Sequence, residues 1–331
     1  MKKIALSILF LSFFFGCNTV IKKDKITLEI PPYEWIESWP KMPKDFVMGN
    51  ATGLGITSNQ NIVVFHRCSR EWKEPMHTNK IIENTISVFD SKTGSLLNSW
   101  GSGLFIMPHG LEIDRDDNIW VTDVGLHQVF KFSLEGKLLM TLGEAQVDGN
   151  DSNHFDLPTD IAVAPDGSFY VSDGYGNSRV IQFNSEGEFL LEWGTYGNGD
   201  GEFNIPHGID LDASGNVYVA DRENNRIQKF DALGNYIKQW QNSTTDQLYS
   251  VVVDQKENKI FGIDYYIKDG IIKGSDIFRL NLDLNLELQW GRSGYYNGPK
   301  TRFHDIAVAP DGSLYTGDIL NNTIQKFSIK K

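Results

Sequence analysis

Three histidines, His109, His207 and His304, occupy the same position in a repeated segment of the chain. They are 98 and 97 residues apart, which is two repeats of about fifty residues each time. Three imidazole ligands with an open fourth position are the arrangement of a catalytic zinc ion. The spacing therefore predicts one zinc site. The alternative, that the histidine is only part of the repeat's turn preference, explains one histidine but not their strict alternation with Thr, Thr and Tyr.

The segment that carries these histidines recurs six times. Each copy contains short β-branched or aromatic runs separated by turns such as Asp166-Gly167, and five copies have an aspartate at the end of the second run. Four such runs in about fifty residues are typical of a propeller blade. The equivalent first positions of the copies are Thr52, His109, Thr159, His207, Tyr249 and His304. We predict an all-β fold, a six-bladed β-propeller over residues 31–331.

The ring geometry explains why alternate copies matter. The segment Gly201–Phe230 is close to the NHL consensus, so the copies resemble NHL repeats. Alternate blades of a six-bladed ring are related by a third of a turn, so equivalent residues on three of them point at one axial spot. Residues 26–36 could supply a strand that closes the ring. The remaining histidines lack the spacing and are interpreted as structural: His66, His77, His127 and His154.

Two arginines and a tyrosine follow the second strands of three blades, on the face that carries the histidines. Arg67, Tyr175 and Arg222 stand there. An arginine can hold a carboxylate through two parallel hydrogen bonds, and a tyrosine beside zinc and arginines would have its phenolate stabilised. We predict that the arginines bind a carboxylate and that Tyr175 acts as a base. The alternative is that the arginines are solvent-exposed and that the tyrosine packs between blades.

The first sixteen residues have the pattern of an export signal. Lys2 and Lys3 precede the apolar run Ile4–Phe15, which is too short for a membrane-spanning helix of ~20 residues. We predict a signal peptide at residues 1–16.

The formal net charge of −12 argues against nucleic-acid binding, since phosphate contacts need clustered Lys and Arg.

A cysteine follows the small residue at the end of this signal. Gly16-Cys17 resembles the lipobox of bacterial lipoproteins, which predicts lipidation of Cys17, a polar tether over 17–30, and an exported protein anchored to a membrane of the cell envelope. The alternative is a plain secretory signal. Cys68 is the only other cysteine, so acylation of Cys17 would exclude an intramolecular disulfide.

Several motifs together resemble the peptidyl-α-hydroxyglycine α-amidating lyase family, the second catalytic activity of the system that amidates peptide hormones. They are Val63–Trp72, Met107–Leu111, Trp120–Phe132, Asn153–Phe155, Pro158–Asp160 and Ser172–Arg179. The resemblance implies a zinc enzyme that splits the C–N bond of a C-terminal α-hydroxyglycine to give an amide and glyoxylate.

The same resemblance assigns roles residue by residue. It implies zinc ligands at His109, His207 and His304, the base at Tyr175, the carboxylate-binding arginine at Arg67 and a further active-site arginine at Arg222. It also implies a structural calcium ion held by Asp305 and by the backbone carbonyls of Leu54 and Leu111. A peptide or small-molecule substrate and a monomeric protein are expected.

The chain departs from the family pattern in three respects. Arg302-Phe303 stands where the family has Met-Pro before the third histidine, which bears on the pocket wall. Asp156 and Gly176 occupy the positions of a family disulfide. No copper monooxygenase domain is recognisable in the sequence, so the natural substrate and its supplier stay open.

Two other functions compete with the lyase. One is a membrane-anchored propeller that binds a partner without catalysis. The other is a different propeller chemistry such as lactone hydrolysis; those sites are rich in carboxylates and hold calcium, whereas three histidines favour zinc.

Overall fold

The computed structural model describes residues 30–330. The predicted signal peptide, Cys17 and all of the predicted tether except its last residue lie outside this range. Within it the chain forms strands and no helix, so the described part also contains no helix that could span a membrane.

Each blade is an antiparallel sheet in which consecutive strands pair. A short strand, β1 (Tyr33–Trp35), comes before the first blade. Blade 1 contains β2 (Ala51–Ile56), β3 (Ile62–His66), β4 (Ile86–Phe89) and β5 (Leu96–Trp100). Blade 2 contains β6 (Pro108–Ile113), β7 (Ile119–Asp123), β8 (Gln128–Phe132) and β9 (Leu138–Leu142). Blade 3 contains β10 (Pro158–Val163), β11 (Phe169–Asp173), β12 (Arg179–Phe183) and β13 (Phe189–Trp193).

The second half of the ring is built in the same way. Blade 4 contains β14 (Pro206–Leu211), β15 (Val217–Asp221), β16 (Arg226–Phe230) and β17 (Tyr236–Gln241). Blade 5 contains β18 (Gln247–Asp254), β19 (Lys259–Lys268), β20 (Ile271–Gly274), β21 (Asp276–Asn281) and β22 (Leu286–Gly291), with β20 paired only to β19. Blade 6 contains β23 (Phe303–Val308), β24 (Leu314–Asp318) and β25 (Thr323–Ile329).

The chain closes its own ring. Strand β1 pairs with β25, with Tyr33 opposite Ile329 and Trp35 opposite Phe327, and becomes the outermost strand of blade 6. The first strands of neighbouring blades contact one another around the whole circle, β23 against β2 included. Closure therefore gives the innermost strand on each side of the ring junction a neighbour. This avoids the open edge of a sheet, which can pair with other chains. The prediction of a six-bladed all-β propeller is confirmed.

The second strand is buried along its full length in every blade except blade 5, because both of its faces are packed. In blade 1 the whole of β3 is buried. Its residues Val63 and Phe65 pack against Leu111, Val121 and Phe132 of blade 2. Burying a side chain of this size stabilises the fold by about 1.5–3 kcal/mol, so blade-to-blade contacts hold the ring in shape.

Buried aspartates fix the loops that follow the second strands. Asp173 pairs with Arg179 at 3.0 Å, and Asp221 pairs with Arg226 at 2.7 Å. Asp221 also accepts a hydrogen bond from the backbone of Asn204 on the preceding loop. These contacts anchor the loops that carry Tyr175 and Arg222.

Candidate active site

A β-bulge lies at the first position of every blade. In blade 4, Pro206 is opposite Asp221 and Gly208 is opposite Ala220, so His207 has no partner in the ladder. The same shift occurs in the other first strands. We call the six residues at this position the bulge residues: Thr52, His109, Thr159, His207, Tyr249 and His304. A bulge re-aims a side chain, and here it turns the bulge residues toward the axis of the ring.

The three histidines among the bulge residues meet at the axis. Each offers a ring nitrogen, and these nitrogens all lie within 4.8 Å of one another. The imidazole centroids are 4.7 to 4.9 Å apart. All three side chains are buried. The predicted convergence of His109, His207 and His304 is therefore present, and no other group of three potential ligand residues in residues 30–330 converges in this way.

The intervening bulge residues orient these rings. Nδ1 of His109 donates to the carbonyl of Thr159 at 2.6 Å, and Nδ1 of His207 donates to the carbonyl of Tyr249 at 2.7 Å. Nδ1 of His304 donates to the carbonyl of Thr52 at 2.9 Å, which joins the last blade to the first. A carbonyl can only accept, so the proton lies on Nδ1 and each Nε2 keeps its lone pair for a ligand.

The glycine after the first two histidines has a packing reason. A Cβ atom on Gly208 would lie 2.6 Å from Cα of Ser250 in the next blade. A Cβ atom on Gly110 would lie 2.6 Å from the carbonyl oxygen of Thr159. Only glycine allows the neighbouring strands to approach so closely beside the histidines.

Burial keeps the three imidazoles neutral. It lowers the pKa of each well below the ordinary value. Nearby Arg67 lowers the pKa of His109 and His304 further, and Arg222 does so for His109 and His207. Neutral imidazole is the form that binds a metal ion. The converging lone pairs, their fixed tautomer and their neutrality fit a bound divalent ion such as zinc.

Tyr175 stands beside two of these nitrogens. Its hydroxyl oxygen is 3.1 Å from Nε2 of His109 and 3.0 Å from Nε2 of His207, and Nη1 of Arg222 donates to it at 3.1 Å. Burial raises the pKa of Tyr175, while the charges of Arg222 and Arg67 lower it. The two arginines do not outweigh burial, so phenolate stabilisation of the predicted kind depends on a cation at the histidines.

Arg67 carries a guanidinium nitrogen with no partner. Nε donates to the carbonyl of Pro108 at 2.9 Å, but the buried Nη2 makes no hydrogen bond. Burial lowers the pKa of Arg67 to about 10, which leaves the group charged at neutral pH. The Trp72 ring lies over it, 5.5 Å from the guanidinium carbon. A buried polar atom without a partner is unusual, so this guanidinium nitrogen is a candidate donor to a bound acceptor.

A cavity of about 550 Å³ opens beside these groups. It is lined by Asn50, Arg67, Trp72, Tyr175, Arg222, Gln247, Tyr249, Ile267, Arg302, His304 and Ile319. Arg67, Tyr175 and Arg222, which were predicted to lie on the histidine face, all line it, so they do not simply face solvent. Sequence reasoning missed Trp72 and Tyr249 as cavity residues; Tyr249 could have been found from its place among the bulge residues.

The innermost strands of the six blades surround a central channel. Another cavity, of about 180 Å³, lies in this channel, beyond the histidines. Its wall includes the three residues expected to hold calcium, Asp305, Leu54 and Leu111. Asp305 accepts hydrogen bonds from the Leu54 amide and the Ser250 hydroxyl, both at 2.7 Å. Oxygen donors suit calcium, and burial raises the pKa of Asp305 to about 6, as expected of a carboxylate that lacks a cation.

Three acidic residues not anticipated from the sequence share that wall, namely Glu112, Asp160 and Asp210. Burial and the neighbouring carboxylates raise the pKa of Glu112 and Asp160 well above their ordinary values. Burial raises the pKa of Asp210 to about 7. Their signal in the sequence was the short distance to a bulge residue, one position for Asp160 and three for Glu112 and Asp210.

The other histidines have local partners. His66 is buried, with Nδ1 3.0 Å from the Met48 carbonyl and Nε2 2.8 Å from the Ser87 hydroxyl. His154 pairs with Asp151 at 2.9 Å.

Asp156 and Gly176, which occupy the positions of the family disulfide, are adjacent, since the Gly176 amide donates to the Asp156 carbonyl at 2.9 Å.

Comparison with known proteins agrees with the fold and the repeat. The family model described as NHL repeat matches residues 105–132, 155–183 and 203–230. A solved structure titled streptogramin B lyase superimposes with a TM-score of 0.60 at 14% identity and covers 90% of this chain and 97% of that one. At that identity the likeness concerns the fold alone.

Sequence relatives are more specific. Peptidyl-glycine alpha-amidating monooxygenase B of Xenopus laevis is 37% identical over 314 residues, which are 88% of this chain but only 35% of that protein. The chain thus spans about a third of the relative's length. The probable peptidyl-alpha-hydroxyglycine alpha-amidating lyase of Caenorhabditis elegans is 33% identical over 82% of this chain and 80% of that protein. The chain belongs to the peptidyl-alpha-hydroxyglycine alpha-amidating lyase family.

Proposed function

We propose that this protein is a zinc-dependent lyase that cleaves the C–N bond of N-acyl-α-hydroxyglycine groups, including those at peptide C-termini, to an amide and glyoxylate. The observation that carries the proposal is the meeting of three neutral, oriented imidazoles with Tyr175 and with the unpartnered guanidinium of Arg67. The α-hydroxyglycine group carries a hydroxyl and a carboxylate on the same carbon, and this site offers a partner for each.

Arg67 would bind the carboxylate of the substrate. Its Nη2 lacks a hydrogen-bond acceptor, and a carboxylate supplies one with a charge-assisted bond. Nε is already held by the Pro108 carbonyl, immediately before His109. The Arg67 side chain is therefore tethered to the strand that carries His109. A carboxylate bound to it would leave the α-carbon of the substrate on the histidine side of the cavity.

Tyr175 would move the proton. A zinc ion held by the three histidines would polarise the α-hydroxyl and lower its pKa. The phenolate oxygen of Tyr175 would take the hydroxyl proton while the C–N bond breaks and a carbonyl forms on the glyoxylate carbon. Tyr175 would then pass the same proton to the leaving amide nitrogen, which restores the phenolate. Arg222 donates to the same oxygen, so it would stabilise the negative charge on the phenolate before the transfer.

Other parts of the proposal concern the structural cation and the anchor. We propose that Asp305 and the carbonyl oxygens of Leu54 and Leu111 hold a calcium ion in the channel. Lipidation at Cys17, attachment to a membrane of the cell envelope and a monomeric state stay predictions from the sequence.

The test is turnover of α-hydroxyhippurate by the purified, zinc-loaded protein. We expect benzamide and glyoxylate in equal amounts, no cleavage of hippurate, which lacks the hydroxyl, and loss of activity after chelation. Tyr175→Phe should retain zinc but lose on the order of 100-fold or more in kcat, the contribution typical of a general base. Zinc-loaded protein that releases no glyoxylate from α-hydroxyhippurate or from α-hydroxyglycine-extended peptides would contradict the proposal and favour a binding propeller.

A further inference from the structure

Arg302 is a third arginine in the cavity, and no acidic residue neutralises it. It lies two residues before His304 and lines the same wall as Arg67 and Arg222. Its Nη2 donates to the Tyr249 hydroxyl at 2.7 Å, and its Nε is buried without a partner. In the described part of the chain no carboxylate comes within ion-pair distance of it.

Arginines that serve the fold of this protein are paired differently. Arg179 and Arg226 are buried and each contacts the aspartate at the end of a second strand, at 3.0 Å and 2.7 Å. Arg292 pairs with Asp264 at 2.8 Å. Against this pattern, Arg302 and Arg67 are the cavity arginines without an acid partner, which indicates that their counter-charge comes from a ligand.

The backbone and two aromatic rings hold Arg302 in place. The Arg302 amide donates to Asp318 at 3.0 Å. The guanidinium carbon lies 4.5 Å from the centroid of the Tyr265 ring and 5.7 Å from that of Tyr249. Stacking of this kind leaves the edge of the guanidinium free for hydrogen bonds in its plane. The group is thus presented to the cavity in a fixed orientation.

One carboxylate cannot satisfy the three arginines. Arg222 is engaged by Glu223 at 2.9 Å and by the Tyr175 hydroxyl. The α-hydroxyglycine carboxylate would occupy Arg67. Arg302 then keeps an unbalanced charge beside that of Arg67, which is unfavourable in a desolvated cavity unless a second anion is present.

We propose that Arg302 binds a second anionic group on the acyl part of the substrate, so that the preferred substrates are N-acyl-α-hydroxyglycines whose acyl chain ends in a carboxylate. This inference rests on the proposed function. The cavity has the room, because its volume of about 550 Å³ lies within the ~300–1,000 Å³ typical of small-molecule sites. Two kinds of substrate carry such a second carboxylate: an acyl chain derived from a dicarboxylic acid, and a peptide with an acidic residue before the hydroxyglycine.

The experiment compares two substrates of the zinc-loaded protein that differ in one charge, N-glutaryl- and N-pentanoyl-α-hydroxyglycine. The flexible chain lets the distal carboxylate find its partner. We expect kcat/KM to favour the glutaryl substrate about tenfold or more, the worth of one charge-assisted hydrogen bond. Arg302→Met should bring the ratio close to one, because kcat/KM for the glutaryl substrate should fall more than kcat/KM for the pentanoyl substrate. Arg302→Lys should retain part of the preference, and Arg115→Gln, on an exposed turn, should leave the ratio unchanged.

The outcomes separate this inference from the function on which it rests. A wild-type ratio near one, or a loss in Arg302→Met that is equal for both substrates, would overturn the role of Arg302 and leave the lyase intact. If neither substrate is cleaved, the proposed function fails. Calorimetry with the unreactive N-glutarylglycine and N-pentanoylglycine then decides whether Arg302 selects a dianion: tighter glutaryl binding that Arg302→Met abolishes supports it, and equal binding refutes it.

Discussion

At one end of the central channel, three arginines and His304 line a cavity of about 550 Å³, and His304 meets the other two histidines at the axis. Further along the same channel, four acidic residues line a cavity of about 180 Å³. The same inner strands build both regions. In the β-strand that carries His207, Asp210 stands three residues later, and in the strand that carries His304, Asp305 follows directly.

The difference shows how one strand serves two opposite sites. The bulge breaks the strict alternation of sides, so the bulge residue faces the axis while the residues after it resume the ladder. Position along the strand then decides which region a side chain joins. A propeller can therefore hold a cationic and an anionic centre on one axis without any additional element.

Burial shifts the pKa values of the two regions in opposite directions. It lowers the pKa of the histidines and raises the pKa of the acids. Each region therefore carries less charge than its residues would carry in water, until a ligand restores it. Under the proposed function, the histidine region would bind a metal and an anionic substrate, and the acidic region would bind a cation.

The largest effect is expected from removal of a histidine. His207→Ala removes one of three ligands and should lower bound zinc from about one per chain to a small fraction. Amide formation should fall by about a thousandfold, since a metal ion contributes several kcal/mol to catalysis. Elemental analysis measures bound zinc, and glyoxylate release measures activity. His154→Ala, on the surface beside Asp151, is the control and should behave as wild type. Unchanged zinc content in His207→Ala would show that the histidine region is not the metal site that distinguishes it from the acidic region.

A smaller effect is expected from the acidic region. Calcium added to chelator-treated protein should stabilise it by about 2.7 kcal/mol at a concentration 100 times the dissociation constant. Asp305→Asn should abolish most of this gain while the metal-free protein keeps its fold, because asparagine retains an oxygen to accept from the Leu54 amide. Thermal unfolding with and without calcium gives the answer, with Asp166→Asn on an exposed turn as the control. An equal calcium response in wild type and Asp305→Asn would remove calcium from this site.

The smallest effect concerns Glu112. Its pKa is raised in the folded protein by burial and by Asp210, so the folded state holds this proton more tightly than the unfolded state. The ionised group therefore destabilises the metal-free fold above its folded pKa, and the penalty disappears below the unfolded pKa of about 4.3. Glu112→Gln should stabilise the chelated protein at pH 8 relative to the wild type, because glutamine avoids the cost of burying a charge at this position. Denaturant unfolding should show the gain shrinking as the pH falls; a gain independent of pH would mean that charge is not its cause.

The sequence alone determined the number of blades and the repeat position of His109, His207 and His304, because both follow from local periodicity and turn residues. It also indicated that Arg67, Tyr175 and Arg222 would share the histidine face, since in antiparallel pairs the first strand begins where the second ends. These features depend on contacts within one blade, which lie close together along the chain.

Only the tertiary structure decided which groups complete the site. The carbonyl that orients His304 belongs to Thr52, 252 residues away, and the tyrosine that holds Arg302 is in the neighbouring blade. The bulges and the gathering of Glu112, Asp160 and Asp210 likewise arise where blades meet around the axis. Such contacts depend on how six sheets close into a ring, and no local pattern of residues encodes them.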